Sequence, residues 1–286
     1  MSFPKQKAPH NVRVLRDWVQ DYANSTDQVV GRVTRAISFM LVALALERAK
    51  TNDGSPLFLV KGGVSMELRL NLRARTTKDF DTVFRGEFQE WLDALDDALA
   101  DDIDGLSFSR SEPAEILDAR AFRVNVAIDL RGRRWGQVQL EVAPAEAATV
   151  LDIEEVEPFD IGQFGLPRPE SVKVVGLPYQ IAQKLHACTE PPQQGRENQR
   201  VHDLMDLLLA RDLLGQKDLE RVREACLTIF AGRGAHDWPP DLIVYPSWPA
   251  IFAKLAAEES FPIAEVEQAA KLVREFVIEI NEAISR

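Results

Sequence analysis

The chain has 286 residues, 45% hydrophobic and 28% charged, with a net charge of −11. That is enough chain for a full core in one or two domains, in a composition ordinary for a globular protein. The acidity argues against a protein that coats nucleic acid, while leaving room for local basic patches.

No apolar run has the length of a membrane span. The best, residues 37–46, is followed at once by Glu47, Arg48 and Lys50 and reads as a buried helix. Lys5 and Lys7 precede no apolar segment of the secretory kind. Cys188 and Cys226 lack a CxxC partner, so reduced, buried thiols in a cytoplasmic protein are expected.

Residues 1–10 are polar with two prolines and are expected to be loose. Residues 27–49 have helical periodicity, with Val29, Val33, Ile37, Met40, Leu41 and Leu44 on one side. A strand over 57–60 runs into Lys61-Gly62-Gly63 and a helix over 64–72. Residues 79–84 alternate as a strand, and 88–99 are helical. Strands follow at 106–110, 121–130 and 135–142, the last two joined by the loop Arg131-Gly132-Arg133-Arg134, with a further one at 172–175. Helices are expected at 179–188, 201–214, 217–230, 249–257 and 263–284, and a mobile, proline-rich loop at 190–199. The fold class is therefore α+β: a mixed-sheet domain with N-terminal helices over residues 1–170, and an all-helical domain over 171–286.

Acid is concentrated at 93–104 and 154–157. Basic residues gather around Arg69, Arg73, Arg75 and Lys78, at Arg131, Arg133 and Arg134, and at Arg196 and Arg200. Each is a solvated surface or a substrate contact.

Alternate residues of a strand share a face, so Asp79 and Asp81 point the same way and Phe80 and Thr82 the other. Two carboxylates this close repel unless a cation sits with them, and magnesium suits, being a hard ion that takes carboxylate and phosphate oxygens. An Asp-x-Asp alone is equally a solvated edge strand. Here it follows a strand-to-helix turn, Lys61-Gly62-Gly63, where glycines allow close backbone approach and helical N–H groups suit a phosphate. A third carboxylate would complete the set. Glu141 faces away from Val138, Leu140 and Val142, and joins the site if its strand lies beside that of Asp79. It could orient a metal or accept a proton. Asp129, at a strand end, is the weaker alternative.

At these residues the sequence resembles the AbiEii and MenT type of nucleotidyltransferase toxins, in the polymerase-beta-like superfamily. Gly62-Gly63 and then Arg75-Thr76-Thr77-Lys78-Asp79-Phe80-Asp81 look like its Gly-Gly turn and Arg-x-Ser/Thr-x-Asp-hydrophobic-Asp segment. Gln183-Lys184-Leu185-His186-Ala187 resembles its lysine helix. Arg200-Val201-His202-Asp203-Leu204-Met205-Asp206-Leu207 resembles its Arg-x-Lys-Asp-x-x-Asp-Leu helix, with His202 in place of the usual lysine. The likeness spans most of residues 57–214, and the helices beyond 215 lie outside it.

The resemblance implies a nucleotidyltransferase-type sheet and a cytoplasmic toxin. Asp79 and Asp81 would hold Mg2+ (or Mn2+) on a nucleoside triphosphate. Lys61, Gly62, Gly63, Arg75, Thr77 and Lys184 would bind the nucleotide, and Asp203 would sit in the same cleft. The nucleotide would pass to RNA, at the tRNA 3′ end, under control of a cognate antitoxin and without a membrane. A protein or small-molecule hydroxyl as acceptor, or a binding-only module, remain the alternatives. The ordinary readings are a snorkelling Lys184, an Asp203 placed for its helix dipole and structural histidines; His186, His202, His10 and His236 do not form a zinc pattern.

Thr77 is expected to touch the triphosphate, or to carry a phosphate that switches the enzyme off by adding negative charge beside the carboxylates. Mass spectrometry of protein made with its cognate partner would then find phosphate on Thr77. An unmodified Thr77 with and without the partner removes the switch.

Overall fold

Where polar and apolar residues alternate the chain forms strands, and where the apolar period lengthens to three and four it forms helices. The computed structural model describes residues 3–70, 75, 77–116, 120–146, 152–192, 195–215 and 217–283. Two helices, α1 (Val12–Thr26) and α2 (Val30–Leu46), lead into β1 (Phe58–Val60), α3 (Gly62–Arg69) and β2 (Asp79–Phe84). Then come α4 (Trp91–Leu99), β3 (Leu106–Arg110), β4 (Ala114–Ile116), β5 (Ala121–Leu130), β6 (Arg133–Pro144), β7 (Ile153–Val156) and β8 (Val172–Val175). The remainder is helical: α5 (Leu177–Thr189), α6 (His202–Arg211), α7 (Asp218–Arg233), α8 (Trp248–Glu258) and α9 (Val266–Glu282).

The strands form one mixed sheet in the order β3-β5-β6-β2-β1-β8-β7, with β4 pairing the start of β5. β2 runs parallel to β6 and antiparallel to β1. β5 and β6 form a hairpin whose turn is Arg131-Gly132, at φ 50° and 72°. Two consecutive positive φ values match the right-handed twist of the strands, and the glycine holds one of them without strain. The α+β expectation with a mixed sheet is borne out.

The apolar stripe of the hairpin, Val124, Val126, Val138, Leu140 and Val142, is buried with Phe80 of β2. α2 belongs to the same core. Phe39 meets Phe80 edge to face at 5.4 Å, and the Trp135 indole N–H donates to the Ser38 hydroxyl at 3.1 Å. The apolar run 37–46 is thus a buried helix face, as its sequence suggests. Among the described residues no helix is long and apolar enough to cross a membrane.

By its contacts the chain divides into two compact units. One comprises Met1–Glu146 and Glu155–Val174, the other Ala147–Glu154 and Val175–Arg286. In the second, α5 packs on α6 and α7, and α6 on α9. Cys188 and Cys226 are free and buried there, and burial pushes both thiols above their usual range.

Several expectations need correction. Residues 3–10 are held rather than loose: Phe3 packs edge-on against Tyr22 and Phe164, and the Lys5 N–H donates to the Gln163 carbonyl at 2.8 Å. An aromatic anchor outweighs the polar composition of that segment. N-terminal helices are expected, but the sequence places only the one over 27–49 and gives α1 no bounds. α2 starts three residues later than expected, because Asp27 adopts a left-handed conformation that caps α1, and Val29 is left 73% exposed ahead of the helix.

β4 and β7 are short and lack a long alternating run, so pattern alone passed over them. The end of the loop expected to be mobile over 190–199 is tied down: Asn198 donates to the carbonyls of Ala187 and Glu190, and Glu197 accepts from the Ser247 hydroxyl. Arg73, Thr76, the end of the helix expected over 64–72, Ile284, and Gln193 and Gln194 of the loop lie outside the described residues.

Candidate active site

Directly paired residues on neighbouring strands share a face of the sheet. In the β2–β6 ladder Asp79 lies opposite Gln139 and Asp81 opposite Glu141, while Phe80, Thr82, Leu140 and Val142 fill the alternate positions. Those four are fully buried, so their burial fixes which way the carboxylates point. Thr82 satisfies its hydroxyl by donating to the Glu141 carbonyl at 2.9 Å. Asp79 and Asp81 are half-buried on the opposite, polar face, and the Gln139 amide donates to Asp79.

The glycine turn closes over this face. The Lys61 N–H donates to the Asp81 carbonyl at 2.9 Å, which fixes the start of α3 beside β2. Gly62 has φ +64°, and a Cβ there would overlap the Asp81 carboxylate; a Cβ on Gly63 would overlap Thr77. Both glycines are therefore required for the close approach. Lys61 caps α3 without a side-chain hydrogen bond, so the first N–H groups of the helix stay available to an anion beside Asp81. Thr77 is 6% exposed and donates to the Asp79 carbonyl at 3.3 Å. A kinase reaches its hydroxyl only if this segment opens. Arg75 is half-buried.

Glu141 sits in register beside Asp81, on the strand neighbouring β2. Asp129 does not. It lies six positions from Arg123, the residue opposite Glu141, about 20 Å along β5 at the usual strand rise, and pairs with Arg134 at 2.7 Å. The Glu141 carboxylate is engaged by Arg123, whose Nη2 and Nε both donate to Oε1, at 2.6 and 3.0 Å. That hydrogen bond holds the Arg123 guanidinium above its ordinary range, and the charges of Glu141, Asp79 and Asp81 act in the same sense.

Among the described residues no group of three or more His, Cys, Asp or Glu side chains is arranged to hold a metal ion. Asp79 and Asp81 form a pair, and two carboxylates fit magnesium. That ion is commonly held by one or two protein carboxylates, with water and substrate phosphates completing its six ligands.

In the second unit Lys184 of α5 lies between two carboxylates of α6, with Nζ 2.7 Å from Asp203 Oδ1 and 2.6 Å from Asp206 Oδ2. The side chains of Lys184, Asp203 and Asp206 are 12%, 7% and 1% exposed, so this is a buried ion cluster rather than a snorkelling lysine. His186 is buried against Phe230 and His236, a structural setting. Sequence reasoning missed Arg123 and gave Asp206 no role. The signals were a polar stripe, Arg123 and Asn125, opposite Val124 and Val126, and the three-residue spacing that puts Asp203 and Asp206 on one helix face.

Residues 44–279 match the protein family described as nucleotidyl transferase AbiEii toxin, type IV TA system. Among solved structures the chain is similar to MenT4, a nucleotidyltransferase toxin from Mycobacterium tuberculosis H37Rv. The TM-score is 0.54 at 16% identity, over 94% of this chain and 99% of that one. The antibiotic-resistance factor ANT(2″)-Ia gives a TM-score of 0.35 at 20% identity, over 71% of this chain and 92% of that chain, too slight a likeness to define a common fold. No curated protein matches the sequence. The family resemblance seen in the motifs is borne out, and it extends past residue 215 into helices the motifs did not reach.

Replacing Lys184 by Met leaves Asp203 and Asp206 facing one another in the interior. The expected cost is about 3–5 kcal/mol of unfolding free energy in urea titrations. For Arg168→Ala, whose pair with Asp160 is more than half exposed on both sides, the expected cost is under about 1 kcal/mol. Equally small losses in the two variants would contradict a structural commitment of Lys184.

Proposed function

The chain belongs to the nucleotidyl transferase AbiEii toxin family, and from that premise we propose that it is the toxin of a bacterial toxin–antitoxin pair that transfers a nucleoside monophosphate to RNA. The donor is a nucleoside triphosphate and the acceptor the 3′ end of tRNA, so that translation stops. The observation that carries this reading is the pairing of Asp79 and Asp81 on one polar face with the Gly62-Gly63 turn packed against Asp81. A phosphate chain would be met there by carboxylate-bound metal on one side and helical N–H groups on the other.

Asp79 and Asp81 would hold Mg2+, or Mn2+ in its place. The ion supplies charge neutralisation and orientation of the triphosphate oxygens. Gly62, Gly63 and the first N–H groups of α3 would cradle phosphate, with Lys61, Arg75, Thr77 and Lys184 as further nucleotide contacts. The acceptor hydroxyl attacks the α-phosphorus, a new P–O bond forms, the α–β bridging bond breaks, and pyrophosphate leaves. Glu141 would take the hydroxyl proton or orient the metal. Asp203 would act with Lys184, either on the triphosphate or by fixing the lysine. Catalysis is then chiefly positioning and charge stabilisation.

Arg131 and Arg133 are exposed at the β5–β6 turn, and Arg196 and Arg200 are exposed further along the chain. These are the cations offered to an RNA backbone. The protein would act in the cytoplasm, with a cognate antitoxin as partner. A protein hydroxyl as acceptor is the second reading, which the net charge of −11 leaves open.

With magnesium, α-labelled triphosphates in turn and total bacterial tRNA, label is expected on tRNA with the native protein. Asp81→Ala is expected to lower the rate by about 10²-fold or more. Labelling that weakens steeply with salt would support an RNA acceptor. Label on polypeptide would move the acceptor to protein, and equal labelling by Asp81→Ala would contradict the carboxylate assignment.

A further inference from the structure

Arg123, Glu141 and Asp81 lie side by side on three adjacent strands, β5, β6 and β2, and so on one face. At the usual strand spacing, the Cα atoms of Arg123 and Asp81 are about 10 Å apart, a span that an arginine and an aspartate cover together. Both hydrogen bonds from Arg123 to Glu141 end on the same oxygen, Oε1. This is a one-sided grip, unlike the two-oxygen fork that makes arginine–carboxylate pairs strong. The Arg123 side chain is 43% exposed, so the pair is solvent-screened. Its neighbour on the outer side, in register on β4, is Ala114, which offers no bulk to restrain the guanidinium.

A divalent ion joining Asp79 and Asp81 would compete with this guanidinium for Glu141. We infer that Arg123 is a positioning residue for the metal site: it holds Glu141 in the metal-free protein, yields it when a divalent ion joins Asp79 and Asp81, and then turns its freed guanidinium to the triphosphate. The planar, five-donor head suits phosphate oxygens. This rests on the nucleotidyl-transfer reading above. The effects of removing Arg123 should then have opposite signs for metal alone and for nucleotide, whereas a merely structural arginine would weaken both.

The experiment is a calorimetric titration of the full chain with Mn2+ alone, and then with α,β-methylene analogues of the four nucleoside triphosphates in turn at saturating Mg2+. It compares native protein, Arg123→Gln, Arg123→Lys, Glu141→Gln and the Arg123→Gln/Glu141→Gln double variant. Exposed ion pairs contribute at most about a five-fold factor. Arg123→Gln is therefore expected to tighten Mn2+ binding by about two- to five-fold and to weaken the preferred analogue by a similar or larger factor. Arg123→Lys keeps the charge and should fall between. The Mn2+ gain should shrink toward unity when Glu141 is already Gln, which separates release of Glu141 from the general loss of a positive charge.

Unchanged or weaker Mn2+ binding in a folded Arg123→Gln protein would overturn the inference while leaving nucleotidyl transfer intact. A gain of equal size in the Glu141→Gln background would overturn it too. No Mn2+ binding by any of the proteins would overturn the metal assignment itself, and this inference with it.

Discussion

A slip of one residue between β2 and β6 would exchange the two faces of β2, because side chains alternate with a period of two. Asp79 and Asp81 would enter the core and Phe80 and Thr82 would face water. Burial prevents this: Phe80, Thr82, Leu140 and Val142 have no exposed surface, and Phe39 of α2 packs on Phe80. The chemistry of the site therefore depends on an apolar register on the opposite side of the sheet. The same ladder brings Glu141 beside Asp81, although the two are 60 positions apart in sequence. The Lys61 hydrogen bond to Asp81 then sets the glycine turn against the finished pair.

Charge is handled differently in the two units. On the sheet, Asp79 and Asp81 are half-buried, and the Arg123 side chain that engages Glu141 is 43% exposed. In the helical unit, Lys184 is enclosed with Asp203 and Asp206, where exchange would strand charges in a poorly solvating interior. The first arrangement suits a site that takes up and gives back an ion. The second joins α5 to α6, and any role of Lys184 toward phosphate draws on a group that is already structural. Loss of activity on mutating Lys184 consequently needs a stability measurement beside it.

Much of the fold was legible because its elements carry strong periods. The strands at 79–84, 106–110, 121–130 and 172–175 lie at their expected bounds, since each combines alternation with a sharp polar boundary. α1 could not be placed because its buried positions, Val12, Leu15, Val19 and Ala23, are spread thinly among charged residues. Of the candidate site, the placement of Asp79, Asp81 and the glycines was legible through local spacing, and that of Glu141 through its face on a strand. Arg123 was not, because nothing local marks which carboxylate a strand arginine will meet; that follows only from the β5–β6 register. The motifs stopped near residue 214, yet the family match runs to 279. Helices α7 to α9 carry packing residues without a local chemical signature.

The most direct test of the central claim, that Asp79 and Asp81 form the ion-binding face, is cleavage of the protein's own backbone by a substituted metal. Fe2+ would replace magnesium, ascorbate and peroxide would generate radicals at the ion, and the cut sites would be mapped by mass spectrometry. Cleavage concentrated around residues 61–63 and 79–81, suppressed by excess Mg2+ and absent from Asp81→Ala, is the expected result. Cleavage elsewhere, or a pattern that Asp81→Ala leaves unchanged, would contradict the account.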